Sequence, residues 1–87
     1  MYYIEFEWDE GNESKIGQRA SLEEVESAFY DRKKKVRKTF FNRYQVLGRT
    51  NAGRYISIVY QRKAGGIIRV ISVRDMIWQE RKRYKNK

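Results

Sequence analysis

Apolar and polar residues alternate at the start of the chain. Tyr2, Ile4, Phe6 and Trp8 occupy every second position, and Tyr3 and acidic residues stand between them. A period of two is typical of a strand with one buried face. The pattern therefore predicts a first strand over residues 2–8.

Two helical segments are predicted next. Glycines at positions 11 and 17 favour a turn followed by a short helix around Glu13–Gln18. Residues 21–24 read Ser-Leu-Glu-Glu, a capping box in which the Ser21 hydroxyl accepts from the amide of Glu24. Apolar residues then recur at helical spacing, which predicts a helix over Leu22–Tyr30.

Four β-like runs follow, at residues 35–41, 43–49, 54–62 and 67–73. Turn sequences Thr-Asn-Ala-Gly and Lys-Ala-Gly-Gly separate the last three runs and predict hairpins. The run 54–62 is apolar on both faces, as expected of a central strand. The runs predict an antiparallel meander.

A helix is predicted at the C-terminal end. Ser72, with Asp75 three residues later, is a potential N-cap for a helix reaching about Lys85, with Ile77, Arg81 and Tyr84 on one face. The order of strand, helical segments, meander and helix predicts a single α+β domain over residues 1–87, built as a two-layer sandwich.

Charge divides the chain into an acidic third and a basic remainder. Nine of the eleven acids lie in residues 1–31 beside only two bases, Lys15 and Arg19, which gives −7. Residues 32–87 hold eighteen Lys and Arg against Asp75 and Glu80, which gives +16. Such a field attracts nucleic acid by releasing counterions, so we expect a polyanion, above all RNA, as partner. The alternative is a protein that is basic without binding nucleic acid.

The amino-acid composition limits the catalytic and metal-binding chemistry that the chain can perform. The chain has no cysteine and no histidine, so a thiolate nucleophile is excluded and the usual zinc ligands are missing. Proton transfer must rely on Lys, Arg, Tyr, Glu or Asp, and we expect no cofactor. The apolar runs are too short to span a bilayer and the first residues lack a secretory pattern, which predicts a cytoplasmic protein with no membrane partner.

Two basic clusters are candidate binding sites. Six of the seven residues at 32–38 are basic, which indicates either an edge strand guarded against aggregation or a phosphate-binding edge, two compatible roles. The second cluster has Arg69 and Arg74 at the end of the last strand and Arg81, Lys82 and Arg83 on the helix behind it, and the arginine fork suits phosphate. Arg69 stands between aliphatic neighbours, where a salt bridge is the commoner role, and Asp75 and Glu80 are the acids nearest in sequence.

Aromatic side chains offer a second means of holding RNA, by stacking on unpaired bases. At least half of them are expected to fill the core instead; the candidates are Phe40, Phe41, Tyr44, Tyr55, Tyr60 and Tyr84.

Several motifs together resemble the BrnT family of toxins from bacterial type II toxin–antitoxin modules, over nearly the whole chain. They are Glu-Trp-Asp at 7–9 with Asn12, Ser-Leu-Glu-Glu-Val at 21–25, Gly-Arg at 48–49, Gly-Arg-Tyr at 53–55, Val-Tyr at 59–60, Gly-Ile-Ile-Arg-Val-Ile-Ser-Val-Arg at 66–74 and Glu-Arg-Lys-Arg-Tyr at 80–84.

The resemblance implies a RelE-like ribonuclease fold, RNA cleavage that inhibits translation, and neutralisation by a small ribbon-helix-helix antitoxin that also binds operator DNA. For a metal-independent endoribonuclease, we expect the phosphate to be clamped by Arg69, Arg74 and Arg81, and protons to be handled by Lys15, Glu80 or Tyr84. RNA contacts are expected from Arg19, Lys33, Lys35, Arg37, Arg49, Arg54 and Lys82.

One departure from the family pattern bears on activity. Its members usually carry a histidine just before the capping box, where this chain reads Gly-Gln-Arg-Ala at 17–20. Lys15 and Arg19 match that histidine in charge but not in proton-transfer range. The rival hypothesis is a non-catalytic RNA- or ribosome-binding relative. A membrane-surface role is weaker, because no segment combines a strong apolar helix face with a basic one.

Overall fold

A four-stranded antiparallel sheet forms the centre of the computed structural model, which describes residues 3–86. Its strands lie in the order β1-β2-β3-β4, which confirms the meander, and are β1 (Lys35–Lys38), β2 (Arg43–Arg49), β3 (Tyr55–Arg62) and β4 (Ile68–Asp75). Three helices complete an α+β sandwich: α1 (Glu10–Gly17), α2 (Leu22–Phe29) and α3 (Trp78–Lys85).

The prediction of a first strand is wrong, but the prediction that one side of this segment is buried is confirmed. Among the described residues 3–8 only Phe6 forms a bridge, an isolated parallel one with Ile68, whose carbonyl accepts from the Glu7 amide at 2.8 Å. Ile4, Phe6 and Trp8 pack against the core, while Tyr2 lies outside the described residues. The pairing ends at once because Asp9 already caps α1.

The helix α1 begins three residues before the predicted start. The Asp9 carboxylate accepts from the amides of Gly11 and Asn12, and the Asn12 side chain accepts from the Asp9 amide at 2.8 Å. This is a capping box made by Asp and Asn. The buried Asn12 amide also donates to the carbonyls of Glu7 and Val70, which ties α1 to β4. For α2, the predicted Ser21–Glu24 capping box is confirmed.

The predicted start of the last helix is wrong. Ser72 stays in β4, which continues to Asp75 because Arg74 and Asp75 pair with β3. The helix α3 begins after Ile77, whose amide donates to Glu80 at 3.1 Å. Its buried residues are Glu80 and Tyr84, whereas Ile77 and Arg81 are exposed, so the expected face Ile77–Arg81–Tyr84 is also wrong.

The main core lies between the sheet and the first two helices. A Cβ added to Gly48 of β2 would stand 2.7 Å from the carbonyl oxygen of Ala28, so α2 rests directly on the strand. Apolar side chains fill this layer; they include Ile16, Val25, Phe29, Val46, Ile56, Ile58 and Val70. On the opposite face of the sheet, α3 packs Tyr84 with Leu47, Met76 and Tyr55. This second face is only partly covered and carries the polar network described next.

Candidate functional site

A buried carboxylate organises the sheet face beneath α3. Glu80 is 6% exposed, and its two oxygens accept from Nη1 and Nη2 of Arg74 at 2.6 and 2.7 Å. The Gln45 side-chain amide donates to the same carboxylate at 2.9 Å. Two parallel bonds of this kind fix the guanidinium plane as well as its position. Arg74 is therefore held rigidly at the end of β4.

Gln45 extends this arrangement into a network. Its Nε2 also donates to Ser57 Oγ at 2.8 Å, and its Oε1 accepts from Arg37 Nε at 2.9 Å and Arg83 Nη2 at 3.1 Å. Within residues 3–86 every buried side-chain nitrogen and oxygen has a hydrogen-bond partner. Arg74 thus bonds the Glu80 carboxylate directly, while Arg37 and Arg83 are linked to it through Gln45. We call these three arginines the guanidinium cluster.

The ion pair with Arg74 also limits the ability of Glu80 to transfer protons. Burial opposes ionisation of this group, but hydrogen bonds from Arg74 and the Ile77 amide lower its pKa below the ordinary value of 4.5. A carboxylate that is already engaged by several donors is a weak base. Glu80 positions Arg74 and is a poor candidate for proton transfer.

A cavity of about 210 Å³ joins Arg74 to the last turn of α1. Lys15 and Arg19 line it together with Arg74, and Ile16, Ser72 and Val73 complete the wall. No carboxylate from residues 3–86 lines this space. We call it the α1–β4 cavity, and it brings together three of the cations predicted from the sequence.

Arg69 lies elsewhere, in the salt bridge that its aliphatic neighbours predicted. Its partners are Glu7 and Asp9, at 2.9 and 2.7 Å, and not the nearer acids in sequence. Hydrogen bonds to Asp9 and Glu7 raise the pKa of Arg69. Its charge is balanced by the N-terminal segment, and its role here is to join that segment to β4.

Tyr84 and Arg81 also stand apart from Arg74. The Tyr84 hydroxyl donates to Asp31 at 2.5 Å, and burial together with that carboxylate raises its pKa. Tyr84 therefore keeps its proton near neutral pH. The Arg81 guanidinium lies 4.7 Å from the centroid of the Tyr55 ring. The six predicted catalytic residues consequently occupy three places rather than one site: Arg74 with Lys15 and Glu80, Arg69 beside the N-terminal segment, and Tyr84 with Arg81 beside Tyr55.

The predicted RNA-binding residues are likewise distributed over separate places in the fold. Lys33, Lys35 and Arg49 line a cavity of about 430 Å³ that also includes Tyr55 and Lys85. Arg49 and Lys85 lie 5.6 and 5.2 Å from the Tyr55 ring centroid, a cation–π arrangement. This cavity, the Tyr55 pocket, is a second concentration of positive charge.

Two other residues predicted to contact RNA interact with side chains of the protein itself. Arg54 is paired with Asp75 at 3.0 Å and Glu24 at 3.5 Å, so its charge is balanced. The exposed Lys82 lies 5.2 Å from the Trp78 ring centroid. Arg37 belongs to the guanidinium cluster and Arg19 to the α1–β4 cavity.

Sequence reasoning missed Gln45, Ser57 and Arg83 as parts of the site. Gln45 and Ser57 each sit in an apolar strand run, and a buried polar side chain requires hydrogen-bond partners. That signal marks both as network residues. Nothing in the sequence distinguishes Arg83 from its basic neighbours.

Comparison with known proteins does not assign the chain to a group: no protein-family model matches it, and no curated protein is significantly similar to it. Within residues 3–86 no helix is long and apolar enough to cross a membrane. The same residues contain no cluster of three side chains suited to holding a metal ion.

Proposed function

We propose that this protein is an RNA-cleaving toxin of a type II toxin–antitoxin system, acting on RNA at the α1–β4 cavity. The observation that carries the proposal is the convergence of Lys15, Arg19 and Arg74 on a space that no described carboxylate lines. Lys15 and Arg19 form no ion pair with a described carboxylate, whereas Arg74 is oriented by Glu80, which does not line the cavity. The three side chains are therefore placed to receive an anion, and a phosphodiester is the anion that the basic surface attracts.

The chemistry is an attack of the RNA 2′-oxygen on the adjacent phosphorus. The 2′-hydroxyl proton passes to solvent, the P–O5′ bond breaks, and the Lys15 ammonium gives a proton to the departing 5′-oxygen. Arg19 and Arg74 stabilise the charge that develops on the phosphoryl oxygens, a contribution of about 10²–10³ in rate for each donor. The products are a 2′,3′-cyclic phosphate and a 5′-hydroxyl end.

Neutralisation by an antitoxin is part of the same proposal, because the resemblance to the BrnT family implies it. A ribbon-helix-helix antitoxin with an acidic segment would compete with RNA for the guanidinium cluster and the Tyr55 pocket, and operator DNA would be contacted only through it. The support for this partner is the resemblance to the BrnT family, together with the basic character of the sheet face.

A second candidate is a non-catalytic protein that binds RNA or the ribosome. One observation favours it: Glu80 and Tyr84 are both held in internal hydrogen bonds, and the chain has no histidine. The α1–β4 cavity then lacks a side chain suited to accept the 2′-hydroxyl proton near pH 7.

The two candidates separate in a cleavage assay with purified protein and a defined single-stranded RNA in EDTA. Cleavage with cyclic-phosphate ends is expected from the parent, and a loss of about 100-fold from Lys15→Ala and Arg74→Ala. Arg62→Ala is the control, because it removes one exposed charge outside the cavity. Salt-sensitive binding without any cleavage would favour the second candidate. Equal cleavage by all four proteins would exclude the α1–β4 cavity.

Induced expression in bacteria gives an independent test of the residue assignment. Arg74→Ala is expected to abolish growth inhibition, whereas Arg81→Ala is expected to retain it, because Arg81 packs on Tyr55 and does not line the α1–β4 cavity. Equal toxicity of Arg74→Ala and the parent would contradict the proposed role of Arg74.

A further inference from the structure

The hairpin between β1 and β2 presents two phenyl rings to solvent. Phe40 is 84% exposed and Phe41 is 87% exposed. The turn is closed by hydrogen bonds from the Thr39 amide to the Arg43 carbonyl at 2.7 Å and from the Arg43 amide to the Phe40 carbonyl at 3.2 Å. The rings therefore stand at the tip of an ordered turn, where they add almost nothing to the core.

The backbone of this turn is also unfavourable for phenylalanine. Phe41 and Asn42 have φ angles of 59° and 58°, in the left-handed region. Asparagine tolerates that region, but a bulky side chain there is a true outlier. Strained residues of this kind are characteristic of functional sites. Neither burial nor backbone preference therefore explains a phenylalanine at position 41.

Charge indicates what the rings contact. Lys38 and Arg43 flank the tip, and the sequence from residue 32 to residue 74 contains no acid at all. Neither Lys38 nor Arg43 takes part in an ion pair with the described carboxylates. An apolar pocket of a protein would bury the rings but leave the two cations without a partner. A polyanion with exposed aromatic groups would stack on the rings and also pair with the cations.

The tip is also continuous with the guanidinium cluster. Arg37, which bonds Gln45, precedes Phe40 by three residues, or about 10 Å at roughly 3.3 Å per residue. An RNA strand lying along the cluster would reach the two rings within a few nucleotides.

We propose that the Phe40–Phe41 tip is a stacking platform for unpaired bases of single-stranded RNA, with Lys38 and Arg43 contacting the flanking phosphates. The choice of RNA rests on the proposed function, but the platform does not depend on cleavage. Aromatic rings combined with a positive groove hold single strands without a strict sequence preference, because every base has a π-face.

The test compares two labelled decamers in fluorescence anisotropy: oligouridine and an abasic ribose-phosphate chain of equal length. The double variant Phe40→Ala/Phe41→Asn is expected to bind oligouridine about 10- to 100-fold more weakly and the abasic chain as the parent does. The control is Tyr3→Ala, which removes a ring of 83% exposure from the acidic N-terminal segment and should change neither affinity.

Thermal unfolding distinguishes a binding role of the Phe41 ring from a structural role, because the two roles predict opposite shifts of the unfolding midpoint on substitution. Phe41→Asn is expected to raise the unfolding midpoint, because asparagine accepts the left-handed backbone, while it lowers affinity for oligouridine. A fall in both stability and affinity would show that the ring supports the fold and would overturn the platform.

The remaining outcomes separate this inference from the proposed function. If the double variant binds oligouridine like the parent, the platform is wrong, even if the parent cleaves RNA. If it binds oligouridine normally but loses self-association in sedimentation, the rings contact a second copy and the platform is again wrong. If the parent binds no single-stranded RNA, both proposals fail; if the double variant loses binding and the parent does not cleave, only the nuclease proposal fails.

Discussion

The two faces of the central sheet differ in what fills the space beneath their helices. Under α1 and α2 the contacts are apolar and close, as Gly48 against Ala28 shows. Under α3 the small apolar cluster around Leu47 adjoins a network of polar side chains centred on Glu80 and Gln45. One face stabilises the fold by excluding water, and the other holds charged groups in defined positions at the surface.

This difference explains why the guanidinium cluster lies on the α3 face. A guanidinium group can be held rigidly only if a partner fixes it, and a buried carboxylate fixes Arg74 in two bonds. Such networks contribute less to stability than an equal volume of apolar packing, but they determine where charge is presented. The comparison leads to three tests, taken from the largest expected effect to the smallest.

Removing the carboxylate at the centre of the polar face should have the largest effect. Glu80→Ala leaves Arg74 and Gln45 without their partner, and we expect a loss of about 3 kcal/mol in the free energy of unfolding. Urea unfolding followed by circular dichroism measures it, with the exposed Glu23→Ala as control. The double variant Arg74→Ala/Glu80→Ala should lose less than the two single losses added together; full additivity would contradict the coupling.

Crowding the contact on the apolar face should have an intermediate effect. A methyl group at Gly48 meets the Ala28 carbonyl at 2.7 Å, so Gly48→Ala forces α2 away from β2 and should cost about 2 kcal/mol. Gly17→Ala is the matched control, because a Cβ there has no neighbouring atom within 4 Å and the position is helical. If both variants unfold at the same urea concentration, the close contact of α2 with the sheet is wrong.

Acid should weaken the polar face by the smallest amount. The folded pKa of Glu80 lies below its ordinary value of 4.5, so the folded state binds the proton less readily than the unfolded chain. Its contribution is therefore complete above about pH 4.5 and is lost as pH falls through the folded pKa, about 1.4 kcal/mol for each unit of lowering. Thermal unfolding from pH 6 to pH 3 should show a shallower loss for Glu80→Gln than for the parent. An identical profile would contradict the contribution of Glu80.

Much of the fold can be predicted from local pattern. The meander, the centrality of the strand around Ile58 and the Ser21–Glu24 capping box depend on side-chain alternation and hydrogen bonds between near neighbours, which the sequence displays directly. The buried side of residues 4, 6 and 8 was also correctly predicted, since alternation determines a face whether or not a full ladder forms. The segregation of acids and bases is likewise visible in the sequence alone.

The partners of the charged groups were decided only by the tertiary structure. Arg69 bonds Glu7 and Asp9, about sixty positions away, because the N-terminal segment runs beside β4. Ser72 remains in a strand because pairing with β3 outweighs a local cap. Glu80 meets Gln45 because α3 packs against β2. Local pattern determines which face of a segment is buried, but an ion pair depends on which distant segments the chain brings together, and that depends on the packing of the whole domain.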